Sequence, residues 1–199
     1  MSKKHFFEKL KDTRADHDTS DFTIVCSGKD IKVHRLVLSL HSGYFARLFK
    51  SDFKENVESK ITLVKEPFAA VVAMIQFFYE LTYDGISSIQ EHATVWILGD
   101  KFEIPGLMEY AQKRFDNACK ASVESYEMDL TIATPLIEVV PLIYENTPPN
   151  TVGLRATVAK WWNELMCWNR YIISKDEWRE MITKHPEFGV DVITRLGMD

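Results

Sequence analysis

Apolar positions along the chain follow two periods in turn. Asp21-Phe-Thr-Ile-Val-Cys-Ser-Gly28 is dense in β-formers and stops at a turn, and Ile31-Lys32-Val33 alternates with period two. Together they predict a hairpin across a Ser-Gly-Lys-Asp link. From His34 the period becomes helical: Leu36, Val37 and Leu40 predict one face, Ser42-Gly43 breaks it, and Tyr44, Phe45, Leu48 and Phe49 resume it. Residues 51–58 are polar around Phe53 and are expected as a loop, and Ile61 to Val64 reads as a third strand. Pro67 opens a helix at a position where its missing N–H costs nothing, with Phe68, Val71, Val72, Ile75, Phe78 and Tyr79 as its stripe. Tyr83-Asp84-Gly85 is a turn. Ser88 and Glu91 form a capping box for a helix carrying Val95, Trp96, Leu98, Gly99 and Phe102. After Ile104-Pro105-Gly106, another helix runs from Leu107 to Cys119 with Tyr110, Ala111 and Ala118 inward.

Beyond about residue 121 the pattern changes. Residues 121–128 are weakly patterned, and prolines at 135, 141, 148 and 149 punctuate a helix around Leu136, Ile137, Val140, Ile143 and Tyr144. Leu154, Val158, Trp161, Leu165 and Trp168 then make the clearest stripe in the chain. Ser174-Lys-Asp-Glu177 is a second capping box ahead of Trp178, Met181 and Ile182. Pro186 starts a last helix through Phe188, Val192, Ile193 and Leu196, with Gly197 as its left-handed cap. The fold class is α+β: a small sheet covered by helices, followed by an all-helical extension that docks on the preceding domain.

Length and composition narrow the function. At 199 residues the chain buries a core without metal or disulfide staples. The longest apolar run, Phe68 to Tyr79, is interrupted by Gln76 and falls short of the roughly 20 residues a membrane span needs. The N-terminus has no apolar h-region, so neither a signal peptide nor a membrane partner is expected. Cys26, Cys119 and Cys167 are odd in number and widely spaced, which points to a reducing compartment, cytosol or nucleus. Residues 1–120 hold 17 basic and 17 acidic side chains, whereas residues 121–199 hold 7 and 12. With no basic face to neutralise phosphates, nucleic acid is not an expected partner. No phosphate-cradling glycine motif or nucleophile elbow occurs, and Ser51-Asp-Phe-Lys54 matches an S-x-x-K spacing without its companion motifs. His34 and His41 lack the further ligands a metal site requires. Neither an enzyme, a cofactor nor a metal is expected.

The ordered series Asp21–Gly28, Ile31–Leu40, Ser42–Phe49, Phe53-Lys-Glu55, Ile61–Leu63, Phe77–Gly85 and Leu98–Ile104 resembles a BTB/POZ domain. In style it resembles the many such proteins of fungi. It departs from the family in reading Glu-Leu-Thr-Tyr-Asp where a Tyr-Thr-Gly-like turn is commoner. It also shows no kelch, MATH or zinc-finger domain. The resemblance divides the chain into an N-terminal segment, 1–16, a BTB/POZ domain, 17–120, and a helical extension, 121–199. It implies protein binding: domains of the family often form homodimers, and many are substrate adaptors of cullin-RING ubiquitin ligases.

The resemblance also assigns candidate residues. Phe53 and Glu55 match the adaptor family's apolar-x-Glu motif, and with Leu48 and Phe49 they form a candidate cullin contact. A bulky anchor two residues from a carboxylate buries one group in a partner and hydrogen-bonds with the other. The plainer reading is a loop Phe packed on its own domain beside a solvated Glu. Asp21 and Arg35 fall where the family places an acid and a base near the dimer interface, or they are surface charges. Phe6, Phe7 and Leu10 form a short amphipathic helix across a dimer seam, a helix packed on its own chain, or a frayed end. Trp161, Trp162, Trp168 and Trp178 either pack the extension on the BTB domain or offer a surface to an unidentified substrate protein. The expected function is a self-associating adaptor that brings a substrate to a cullin ligase. The competing class is a homodimeric structural or transcription-linked scaffold with no cullin contact.

Overall fold

The computed structural model describes residues 3–16, 18–124, 134–149, 153–168 and 176–196. The hairpin pairs β1 (Phe22–Cys26) with β2 (Lys29–Val33), Phe22 facing Val33 and Cys26 facing Lys29. Its loop is two residues shorter than the Ser-Gly-Lys-Asp link expected, because Lys29 and Asp30 join the ladder. Ser27 and Gly28 carry it at φ 51° and 74°, the left-handed pair whose twist matches that of the strands. The third strand, β3 (Lys60–Leu63), runs parallel to β1, giving the order β2-β1-β3.

The helices preceding β3 differ from expectation in two places. In α2 (Arg35–His41) Val37 and Leu38 are buried, while Leu36 and Leu40 stand exposed at 71% and 70%. Ser42 is extended and caps α3 (Gly43–Leu48): its hydroxyl accepts the Phe45 N–H at 3.0 Å and donates to the Phe102 carbonyl at 2.6 Å. The segment expected as a loop holds a one-turn helix, α4 (Lys54–Val57), with no buried residue. Next come α5 (Phe68–Glu80), α6 (Ile89–Lys101) and α7 (Pro105–Glu124). The Ser88 capping box closes at 3.1 Å in both directions, Glu91 N–H to Ser88 Oγ and Ser88 N–H to Glu91 Oε2.

Contacts divide the chain into two compact units, one of residues 1–86 and 98–110, the other of 87–97 and 111–199. In the first, the rings of Phe22, Tyr44, Phe45, Phe49, Phe78 and Phe102 form one cluster. Phe45 lies at its centre, stacked 5.5 Å from Phe102 and 5.8 Å from Phe49. His34 is part of the packing: Tyr79 Oη accepts its backbone N–H at 3.1 Å and meets its Nδ1 at 2.9 Å. Burial pushes the Tyr79 hydroxyl up to about 12. The N-terminal helix, α1 (Lys3–Ala15), lies along α5, where Lys11 and Arg14 both pair with Glu80, at 3.1 and 2.6 Å.

The second unit adds α8 (Thr134–Asn146), α9 (Gly153–Trp168), α10 (Asp176–Lys184) and α11 (Pro186–Leu196). Helix α8 runs through Pro141 without ending there. From α7 the unit takes Ala111, Phe115 and Cys119, spaced by four and fully buried, so the inward row lies one position beyond the expected Ala118. Gln112 donates to Thr157 Oγ1 at 2.6 Å and the Trp161 Nε1–H to Asp116 at 2.7 Å, fastening α9 to α7. Gly153 permits the close approach: a Cβ there would stand 3.0 Å from the Trp96 ring. Ser174 and Gly197, expected as caps, lie outside the described residues.

His92 is 3% exposed on α6. Burial, with the Arg114 charge in second place, lowers its pKa from 6.5 to about 4. Between those values the unfolded chain binds a proton that the folded chain refuses. Stability is therefore complete above pH 6.5 and declines as pH falls toward 4, by up to about 3 kcal/mol. Chemical denaturation at stepped pH is expected to show this slope in the parent and to lose it in His92→Gln; equal slopes in both would assign the acid sensitivity elsewhere.

Candidate partner-binding surface

The polar segment after α3 builds the surface. Leu48 is 4% exposed, and Phe49 is held edge-on against Phe22 at 4.9 Å within the ring cluster. Phe53, at the N-cap of α4, is 65% exposed, and Val57 one turn on is 75% exposed. Both are apolar and open to solvent, and Glu55, between them in sequence, is half-buried. Burial, and after it the Glu55 charge, raises the pKa of the nearby Tyr44 hydroxyl, which remains a hydrogen-bond donor at neutral pH.

Polar groups fix the segment in place. Asn56 Nδ2 donates to the Ser51 carbonyl at 2.6 Å and the Phe49 carbonyl at 3.3 Å. Arg35 approaches from α2 and donates to Asn56 Oδ1, to the Asn56 carbonyl at 2.9 Å and to Ser59 Oγ at 2.8 Å. Asp21 meets Arg35 through the backbone: its carboxylate accepts the Arg35 N–H at 2.7 Å and caps α2, while the guanidinium Nε donates to the Asp21 carbonyl at 3.2 Å. The acid and base are thus neighbours within the fold.

The other predicted residues lie apart. Leu10 is half-buried on α1, and the side chains of Phe6 and Phe7 lie outside the described residues. Trp161, Trp162 and Trp178 are 8%, 0% and 8% exposed, with Trp162 and Trp178 rings 5.1 Å apart and both near Phe188. These three rings are buried within the helical unit; the side chain of Trp168 lies outside the described residues. Sequence reasoning missed Val57, Asn56 and the exposed Leu36 and Leu40. Only the spacing of Phe53 and Val57, four apart, carried a signal.

The BTB/POZ domain model matches residues 10–118, more than half of the chain. The chain belongs to the BTB/POZ family. The matched region is a protein-interaction module of a family whose members are generally not enzymes. Kelch-like protein 41 of Mus musculus is 28% identical over 110 residues, which are 53% of this chain and 18% of that protein. Kelch repeat and BTB domain-containing protein 1 of Ectromelia virus (strain Moscow) is 34% identical over 83 residues, 40% of this chain and 15% of that protein. The BTB chain thus spans less than a fifth of the length of these curated relatives. Among solved structures, the BTB domain of zebrafish PATZ1 is 14% identical with a TM-score of 0.48, and that of human gigaxonin 16% identical with a TM-score of 0.46. Each match covers 57% of this chain and 92% of the other.

Proposed function

We propose that this chain is a self-associating BTB adaptor that recruits a substrate to a cullin-RING ubiquitin ligase. The observation that carries the reading is Phe53. It is an aromatic ring 65% exposed on a turn that buries nothing of its own, two residues ahead of Glu55 and one turn from Val57. Exposed aromatics beside a polar group capable of one directed bond are the usual anchors of protein interfaces. Self-association rests on a separate observation, the adjacent Leu36 and Leu40 on the outer face of α2, an apolar pair suited to an isologous contact with a second copy. The free thiol of exposed Cys167 accords with a reducing compartment, cytosol or nucleus.

The test is calorimetric binding of the chain to a cullin N-terminal domain, beside Phe53→Ala/Glu55→Ala. Loss of one anchored ring and one polar contact is expected to cost about 2–4 kcal/mol, a fall of roughly 30-fold or more. Micromolar binding that the double variant abolishes supports the adaptor reading. No binding by the folded parent would overturn it and leave the scaffold formed through α2.

A further inference from the structure

We propose that Arg35 is the positioning residue of the docking turn, holding α4 so that Phe53 and Val57 face outward together. The inference rests on the docking reading above and adds how that surface is kept in shape. Helix α4 buries no residue, so hydrophobic burial does not fix it. One guanidinium does much of that work. Its central carbon lies against the edge-on pair of Phe22 and Phe49, 5.2 and 5.0 Å from their ring centroids, which sets its direction. From there Nη1 reaches Asn56 Oδ1, and Nη2 reaches the Asn56 carbonyl and Ser59 Oγ. Asn56 passes the constraint back through Nδ2 to the Ser51 carbonyl at the start of the segment. Both ends of residues 51–59 are therefore tied to one side chain, which Nε in turn fastens to the Asp21 carbonyl. A lysine keeps the charge but lacks the planar fork, so it can neither rest on the two rings in this way nor make the divergent bonds.

The experiment measures two things on the full chain: amide hydrogen exchange by mass spectrometry, and affinity for a cullin N-terminal domain. The reporters are the amides of Asn56 and Val57, bonded to the Phe53 carbonyl at 3.0 and 3.1 Å, and of Glu58, bonded to the Lys54 carbonyl at 2.8 Å. In Arg35→Lys these three are expected to exchange about tenfold faster or more while the β1–β2 hairpin keeps its protection, and affinity is expected to fall about tenfold with Phe53 intact. Asn56→Asp keeps an acceptor for the guanidinium and loses the Nδ2 bonds, so its exchange should lie between parent and Arg35→Lys. Unchanged exchange at 56–58 in a folded Arg35→Lys chain overturns the proposal. A fall in affinity without faster exchange overturns it too, since Arg35 would then be a direct contact. If the hairpin also loses protection in Arg35→Lys, Asn56→Ala decides by the same criterion, because it leaves the arginine on its two rings. A parent that fails to bind the cullin domain defeats the docking reading, while the exchange measurement still decides what holds α4.

Discussion

Arg155→Met is expected to remove about 3–5 kcal/mol from the stability of the helical unit, read by urea denaturation followed through tryptophan fluorescence. Arg155 is 4% exposed. Its Nε donates to Thr147 Oγ1 at 2.9 Å, Nη2 donates to the carbonyls of Tyr144 and Thr147, and Nη1 meets Glu187 Oε2 at 2.5 Å. The guanidinium also lies 4.4 Å from the centroid of the Tyr144 ring. It thereby satisfies carbonyls that the end of α8 leaves without partners, and it links α8 to α9 and α11. Methionine fills most of the volume and supplies no donor, so those acceptors stay buried and unbonded. The ion pair itself contributes little, because Glu187 is 56% exposed and returns to water when released. Glu187→Gln is therefore the control, with an expected loss below about 1 kcal/mol. Equal losses in the two variants would mean that the charge pair, and not the carbonyl cap, holds the helices together.

Phe45→Ala is the second large effect, about 3–5 kcal/mol in the unit that holds the sheet. The ring is fully buried and meets Tyr44 at 5.3 Å, Phe78 at 6.1 Å, and Phe102 and Phe49 in stacked contacts. Truncation leaves a void among rigid rings, which relax poorly around it. It also removes the support behind Phe49, one of the two rings against which the Arg35 guanidinium lies. Phe45→Leu keeps much of the volume and should lose less than half as much stability. Thermal and urea unfolding by circular dichroism measures both. An alanine variant within about 1 kcal/mol of the parent would show that the cluster repacks freely.

Local signals in the sequence were strong where each element contains its own instructions. The hairpin follows from a β-rich run and a glycine turn, the start of α6 from Ser88 and Glu91, and α9 from a stripe at helical spacing. They failed where the decision lies elsewhere in the fold. Leu36, Val37, Leu38 and Leu40 are all apolar, so helical periodicity alone leaves open which face turns inward; α3 and α5, against which α2 packs, decide it. Residues 51–58 look like a loop because α4 has no apolar stripe, and its stabilising partner is Arg35, which precedes the segment. Within the candidate surface, Phe53 and Glu55 were readable as a motif. Asn56 was not, since its role depends on a guanidinium brought from another helix. The family match ends at residue 118, whereas one compact unit joins residues 87–97 to 111–199. The recognised domain and the packed unit are therefore different divisions of one chain, and only the first is written as a motif.

The parallel pairing of β3 with β1 has a consequence for the order in which the molecule forms. A two-residue turn closes the β1–β2 hairpin locally, but the parallel ladder must wait for all of residues 27–59 to cross over. The docking turn is the last stretch of that crossover. Ser59, which Arg35 grips, also accepts the Thr23 N–H through its carbonyl at 3.0 Å, on the threshold of the ladder. A newly made chain with its hairpin formed and its third strand still loose holds the right residues without presenting them. On the docking reading, such a chain would gain competence to engage a partner only once β3 has paired with β1.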